Sequence, residues 1–168
     1  MANDRTVEAG AAPVASKRGS GLSRASLALY LAWLVALAAT LGALLLGEVL
    51  GRTPCTLCWY QRIAMFPLAL VLGIACLVDD HRVGRYALPL ALAGAAVALY
   101  HTLLYTGLVS APIVPCSQSG PSCTDRASQA VAGVPLPMLS LACFAAIAVL
   151  LVLAYRARLL PSTGDPSS

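Results

Sequence analysis

Four long apolar runs leave this chain few ways to fold. They cover about residues 27–50, 58–78, 86–108 and 137–155, and each is close to or above the roughly 20 helical residues that cross a hydrocarbon core. Lipid offers the backbone no hydrogen-bond partners, so runs of this length must satisfy their own amides as helices. The expectation is an all-α integral membrane protein, a bundle of four transmembrane helices. With 59% hydrophobic and only 11% charged residues among 168, the chain has no stretch left for a separate soluble core. The first run is longer than the roughly 7 to 15 residues of a signal-peptide core, so it is expected to stay as an anchor.

The flanks set the orientation. Residues 1–26 are polar, rich in Ala, Gly and Ser and without hydrophobic period, and read as a disordered tail; residues 156–168 read as a second tail. Arg5, Lys17, Arg18 and Arg24, the hairpin residues Arg82 and Arg85, and Arg156 and Arg158 fall on one side, against Arg52, Arg62 and Arg126 on the other. The positive-inside tendency puts both termini in the cytoplasm and the two cysteine-bearing loops outside, where disulfides persist. The net charge of +4 is scattered and not interleaved with aromatics, which argues against nucleic-acid binding. Glu48, at the end of the first run, is expected to be solvated at the interface.

Chemistry concentrates in Cys55-Thr-Leu-Cys58-Trp-Tyr-Gln-Arg62. If Cys58 opens the second helix, Arg62 lies one turn on along the same face. The positive end of the helix dipole, the arginine and the Cys-x-x-Cys spacing all favour a thiolate, so the pair reads as redox-active. Trp59 and Tyr60 belong at headgroup depth, which puts the thiols at the membrane surface. Zinc sites use the same spacing but need about four ligands, and the neighbouring cation opposes a dication. No metal is therefore expected, although half a metal site or a plain helix end remains the structural alternative.

The longest connection, between the third and fourth runs, carries Pro115-Cys116-Ser-Gln-Ser-Gly-Pro-Ser-Cys123. Gly120 and Pro121 reverse the chain, so Cys116 and Cys123 can pair locally as a second dithiol. Cys76 and Cys143 sit among apolar residues and read as packing. His81 is expected to be solvated. His101, near the end of the third run on the side of Cys58, divides between a satisfied core histidine and a proton-handling or ligand-binding one. Two dithiols on the oxidising side, one in a loop and one beside the bilayer, suggest an electron relay. With no flavin or haem motif, a small apolar oxidant such as a quinone suits the acceptor.

The four spans, the Cys-x-x-Cys-Trp-Tyr-Gln-Arg motif, the second external pair and Gly133-Val-Pro-Leu-Pro-Met-Leu-Ser-Leu141 together resemble the disulfide bond formation protein B family, DsbB and its BdbC-type relatives. The similarity covers roughly Leu27 to Tyr155. It implies a bacterial inner-membrane enzyme that reoxidises a DsbA-like thioredoxin-fold thiol oxidase and passes the electrons to ubiquinone or menaquinone, and so to the respiratory chain. The DsbA, DsbB and quinone route is the established one for an oxidising periplasm. In that scheme the partner attacks Cys116, Cys123 carries electrons to Cys55, and Cys58 faces the quinone with Arg62 beside it. His101 aligns loosely with a histidine near the family's quinone. Cys116 and Cys123 are closer together here than in the best-known members, and Gln61 replaces an acidic residue of some relatives. A vitamin K epoxide reductase relative would carry its active pair near the last span, and a four-span scaffold would use its cysteines structurally or for zinc.

Overall fold

The computed structural model describes residues 23–109, 123, 130–131 and 133–159. The two tails and most of the loop around Cys116 lie outside the described residues. Four helices dominate: α1 (Arg24–Leu44), which runs on into a π-helical turn (Leu45–Val49), α2 (Thr56–Val78), α3 (Gly84–Thr106) and α4 (Leu136–Leu159). With the π turn counted, they span 26, 23, 23 and 24 residues, each long and apolar enough to cross a membrane. α1 packs on α2 and α4, and α3 packs on the same two, which closes a four-membered ring.

The bundle is built for lipid rather than water. Its fully buried positions include Ala32, Ala36, Ala91 and Ala98, while Leu41, Leu70, Leu77 and Val149 face outward. Hydrocarbon solvates leucine as well as a protein core does, so close approach of small residues, not burial of large ones, holds such helices together. Large side chains enter the centre too, Leu68, Leu72 and Ile147 among them, and Phe144 is the largest. Phe144 of α4 is wholly buried and fills the notch left by Gly94 of α3, where an added Cβ would overlap its ring.

Helix ends follow local chemistry. Ser23 caps α1, its Oγ accepting the Ser26 amide at 3.0 Å. α2 ends at Asp79, whose left-handed conformation (φ 55°) turns the chain into a short 3-10 turn (His81–Val83) ahead of α3. Gly107 (φ 81°) closes α3 in the same way at the other end. Pro67 and Pro89 lie inside α2 and α3 without ending them, as lipid-embedded helices allow.

Boundaries depart from expectation by up to four residues, and α4 runs past Tyr155 to Leu159, taking in Arg156 and Arg158. Thr56, not Cys58, opens α2, so Cys55 becomes the N-cap in extended conformation and Cys58 lies within the first turn. α1 starts before Leu27 and finishes in the π turn, where Glu48 is exposed as expected. Just ahead of α4 a two-residue hairpin forms, β1 (Ala130–Val131) antiparallel to β2 (Val134–Pro135), reversed at Gly133 with φ 81°. Arg52 ties it to the opposite loop by donating from Nη1 to the Ala130 carbonyl at 2.9 Å.

The Gly94 notch gives a direct test of the packing. Gly94→Val should destabilise the bundle by about 1–3 kcal/mol, read as a lower Tm in detergent. Adding Phe144→Ala should restore part of the loss, because the clash is with that ring.

Candidate functional site

The N-terminus of α2 gathers the reactive groups. As N-cap, Cys55 offers its carbonyl to the Trp59 amide (3.1 Å), which starts the helix and sets Cys58 one turn along. The two sulfurs then lie 3.4 Å apart, with the Cys55 thiol donating to Cys58. From α3, His101 brings Nε2 to 3.8 Å from Cys55 Sγ. Its other ring nitrogen, Nδ1, lies 3.1 Å from the Gln61 amide nitrogen. His101 is wholly buried and Gln61 nearly so. From the long loop, Cys123 is also buried, and its sulfur, Cys55 Sγ and a His101 ring nitrogen all lie within 4.8 Å of one another. Cys55, Leu57, Leu104 and Cys123 form a small apolar cluster of their own, distinct from the main core.

On the other side of Cys58 opens a cavity of about 220 Å³ between α1, α2 and α4. Ala39, Met65, Phe66, Leu139 and Phe144 make its wall largely apolar; Cys55, Cys58, Gln61, Arg62 and Ser140 supply polar atoms. Among the described residues none from α3 lines it, so His101 stands behind Cys55 rather than on the cavity wall. Arg62 crosses to α1, where Nη2 donates to the Ala43 carbonyl at 2.8 Å, and its guanidinium carbon lies 5.8 Å from the centre of the Trp59 ring. Gly47, in the π turn, leaves room for it: a Cβ there would meet both terminal nitrogens at 3.1 Å.

The surroundings divide the sulfurs by proton affinity. The hydrogen bond from Cys123 pulls the Cys55 thiol down, but the one with Cys58 and burial outweigh it and push Cys55 up to about 11. The hydrogen bond with Cys55, together with burial, pushes the Cys123 thiol up as well. At neutral pH both stay protonated, and Cys55 is the donor in its bond to Cys58.

The residues singled out from sequence are thus partly assembled. Cys55, Cys58, Cys123 and His101 come together, and Arg62 shares the cavity wall with Cys58. Cys116 lies outside the described residues. Cys76 packs against the main core, and Cys143, also expected to be filler, lines the cavity from α4. Gln61 stood in the motif, and Arg52 counted towards orientation, without a role at the site. Gln61 proves to bridge the cavity and His101, and Arg52 to join the two loops.

The model of the family described as DsbB, "Disulfide bond formation protein DsbB", matches residues 24–154, all four helices included. The chain belongs to the DsbB family. It is 54% identical over 128 residues to a "Probable disulfide formation protein" of Metapseudomonas resinovorans, covering 76% of this chain and 89% of that one. A protein of the same name from Deinococcus radiodurans is 50% identical over 110 residues, 66% of each chain. "Disulfide bond formation protein C" of Bacillus subtilis is 41% identical over 125 residues, 74% of this chain and 90% of that one. No solved structure matches. As a DsbB-family member with four spanning helices, the chain is a multi-pass membrane protein whose family activity, disulfide formation, is an oxidoreductase reaction.

The division of proton affinity in this DsbB-family site predicts a pH profile. Alkylation needs the thiolate, so in the reduced protein Cys55 should react slowly at pH 8 and speed up about tenfold per pH unit towards about 11. Cys58→Ala removes the partner that holds the proton on Cys55 and should lower the midpoint; Cys123→Ala removes a stabilising donor and should raise it. Peptide mapping by mass spectrometry reads both.

Proposed function

We propose that the protein is a thiol:quinone oxidoreductase that reoxidises a DsbA-like thioredoxin-fold partner on the outer face of a bacterial inner membrane. The observation that carries this reading is the order of the sulfurs: Cys55 lies between Cys123, on the loop side, and Cys58, on the cavity side. A sulfur so placed can exchange with both neighbours without large motion.

The residues take their roles in sequence. A partner thiolate attacks Cys116 of the Cys116–Cys123 disulfide, and the electron pair leaves on Cys123. Cys123 attacks Cys55 of the Cys55–Cys58 disulfide, the Cys55–Cys123 bond forms, and the pair leaves on Cys58. Cys58 then holds its charge on the wall of the cavity, where the Arg62 guanidinium supplies the opposite sign. The partner's second thiolate attacks the mixed disulfide, and the partner leaves oxidised. The freed Cys116 displaces Cys55 from Cys123, and Cys55 re-forms its bond to Cys58 while a quinone bound there would take up the two electrons and, with two protons, become quinol. The cavity fits such a ring: its wall is mainly apolar, with Arg62, Gln61 and Ser140 as polar neighbours for ring oxygens. It opens among spanning helices, which suits a ligand that arrives through the bilayer.

A second reading rests on one observation, that Cys55, His101 and Cys123 offer three donors close enough together to share a metal ion. Under it the reduced protein would purify with stoichiometric zinc, and its thiols would be indifferent to quinone. Under the oxidoreductase reading, anaerobic mixing of purified protein with ubiquinone or menaquinone and a reduced DsbA-like partner yields quinol and oxidised partner in equal amounts.

Two further outcomes follow. Arg62→Ala should leave the protein folded and still able to accept electrons from the partner, though with slower exchange onto Cys58, and should raise the quinone KM roughly tenfold, the cost of one charge-assisted contact; Cys76→Ala should turn over normally. In intact cells, a membrane-impermeant maleimide should label the reduced Cys55/Cys58 pair from outside. Labelling only after the cytoplasm is opened would reverse the orientation and defeat the reading.

A further inference from the structure

His101 and Gln61 are two polar side chains sealed inside the bundle, and the route of electrons from Cys123 to Cys58 passes beside them without using either. Burying a polar group costs free energy unless it is hydrogen-bonded, and here each supplies the other's bond. The direction of that bond has a chemical consequence. An amide nitrogen can only donate, so the Gln61 NH2 facing His101 Nδ1 makes that ring nitrogen the acceptor. A neutral imidazole that accepts at Nδ1 carries its proton on Nε2. Nε2 is the nitrogen 3.8 Å from Cys55 Sγ.

We propose that Gln61 is a positioning residue that holds His101 as the Nε2–H tautomer, and that this N–H stabilises the Cys55 thiolate when Cys55 becomes the leaving group. The step is the return half of the relay: a thiolate, Cys116 in the reading above, attacks Cys123 of the Cys55–Cys123 disulfide. The new Cys116–Cys123 bond forms, the Cys55–Cys123 bond breaks, and the electron pair goes to Cys55 Sγ. That sulfur is buried, and while Cys58 is charged its own proton is held firmly. Cys58, charged in the reading above, has no proton to give Cys55. Beside the Cys58 backbone amide, His101 Nε2 is the side-chain donor nearest the Cys55 sulfur, until Cys55 attacks Cys58, the Cys55–Cys58 bond re-forms and the two electrons pass to the acceptor. Gln61 also lines the cavity, so its amide ties the geometry of Cys55 to that of the acceptor site without touching either sulfur in the exchange.

The groups around Cys55 are few. On its own helix it faces Cys58, with Arg62 further along the shared cavity wall; the turn before it brings Arg52 to that wall, the loop brings Cys123, α3 brings His101 and α4 brings Cys143. α1 contributes no titratable group to the wall among the described residues. Among the described residues, Gln61 and His101 form a hydrogen-bonded pair whose far ring nitrogen lies 3.8 Å from Cys55 Sγ.

The proposal relies on the relay only for which reaction uses Cys55, and its test needs neither quinone nor partner. In the full chain with Cys58→Ala, Cys116→Ala and Cys123→Ala, alkylation of Cys55 is followed against pH by mass spectrometry, with thermal melting of each variant as a control for folding. Replacing the donor by His101→Phe should raise the midpoint by about one pH unit, a tenfold slower reaction at pH 8. Gln61→Leu should move it the same way by less, because the tautomer is no longer enforced. Gln61→Glu should move it down, since a carboxylate on Nδ1 favours the doubly protonated ring, which donates more strongly from Nε2. Opposite shifts from two substitutions at one buried position are what a merely structural amide would not give. In parallel, ring nitrogen-15 shifts in a His81→Asn background should put the His101 proton on Nε2. A proton on Nδ1, or midpoints for Gln61→Leu and Gln61→Glu that match the parent, would overturn the proposal and leave the quinone reading standing. If His101→Phe does not fold, the two Gln61 variants and the nitrogen shifts decide it.

Discussion

The active end of this protein depends on how one sulfur is shared. Cys55 lies within exchange distance of a sulfur on each side and beside a ring nitrogen, and its proton stays on until one of those neighbours changes. Thiol exchange is governed by thiolate fraction, leaving-group affinity and access, and all three are set here by packing rather than by any single charged neighbour. The extended backbone of Cys55 at the helix N-cap matters most for that.

The rest of the molecule keeps that end dry and aligned. Small residues let the four helices approach, Gly94 and Phe144 lock α3 to α4, and the small cluster around Leu57 and Leu104 roofs the sulfurs separately from the main core. The two loops are held to each other by Arg52 and the Ala130 carbonyl, which braces the cysteine-bearing end. Low polarity raises the cost of a bare thiolate and equally the worth of each donor aimed at one. A bundle of this kind can therefore tune sulfur chemistry with very few polar groups.

Much of this was readable in the chain. The spans follow from length and composition alone, because lipid leaves a 20-residue apolar run no alternative to a helix. Their ends shifted by a few residues, since helices begin at Arg24, Thr56 and Leu136 through local caps and backbone bonds that hydropathy does not register. Cys55, Cys58 and Arg62 announced themselves by spacing. Cys123 was visible as a thiol, but its seat against Cys55 depends on how a long loop folds back, which no periodicity encodes.

Gln61 and His101 mark the boundary between the two kinds of information. They are 40 residues apart on different helices, and nothing in either neighbourhood reveals that they meet. The amino-acid sequence by itself determined a four-span membrane protein with a Cys-x-x-Cys pair where the second span begins, because solvent and covalent spacing act locally along the chain. Only the tertiary structure decided that the histidine lies between Gln61 and the Cys55 sulfur, with the arginine turned to the first helix. Those outcomes depend on which faces of separate helices meet, a choice made by close packing across the bundle.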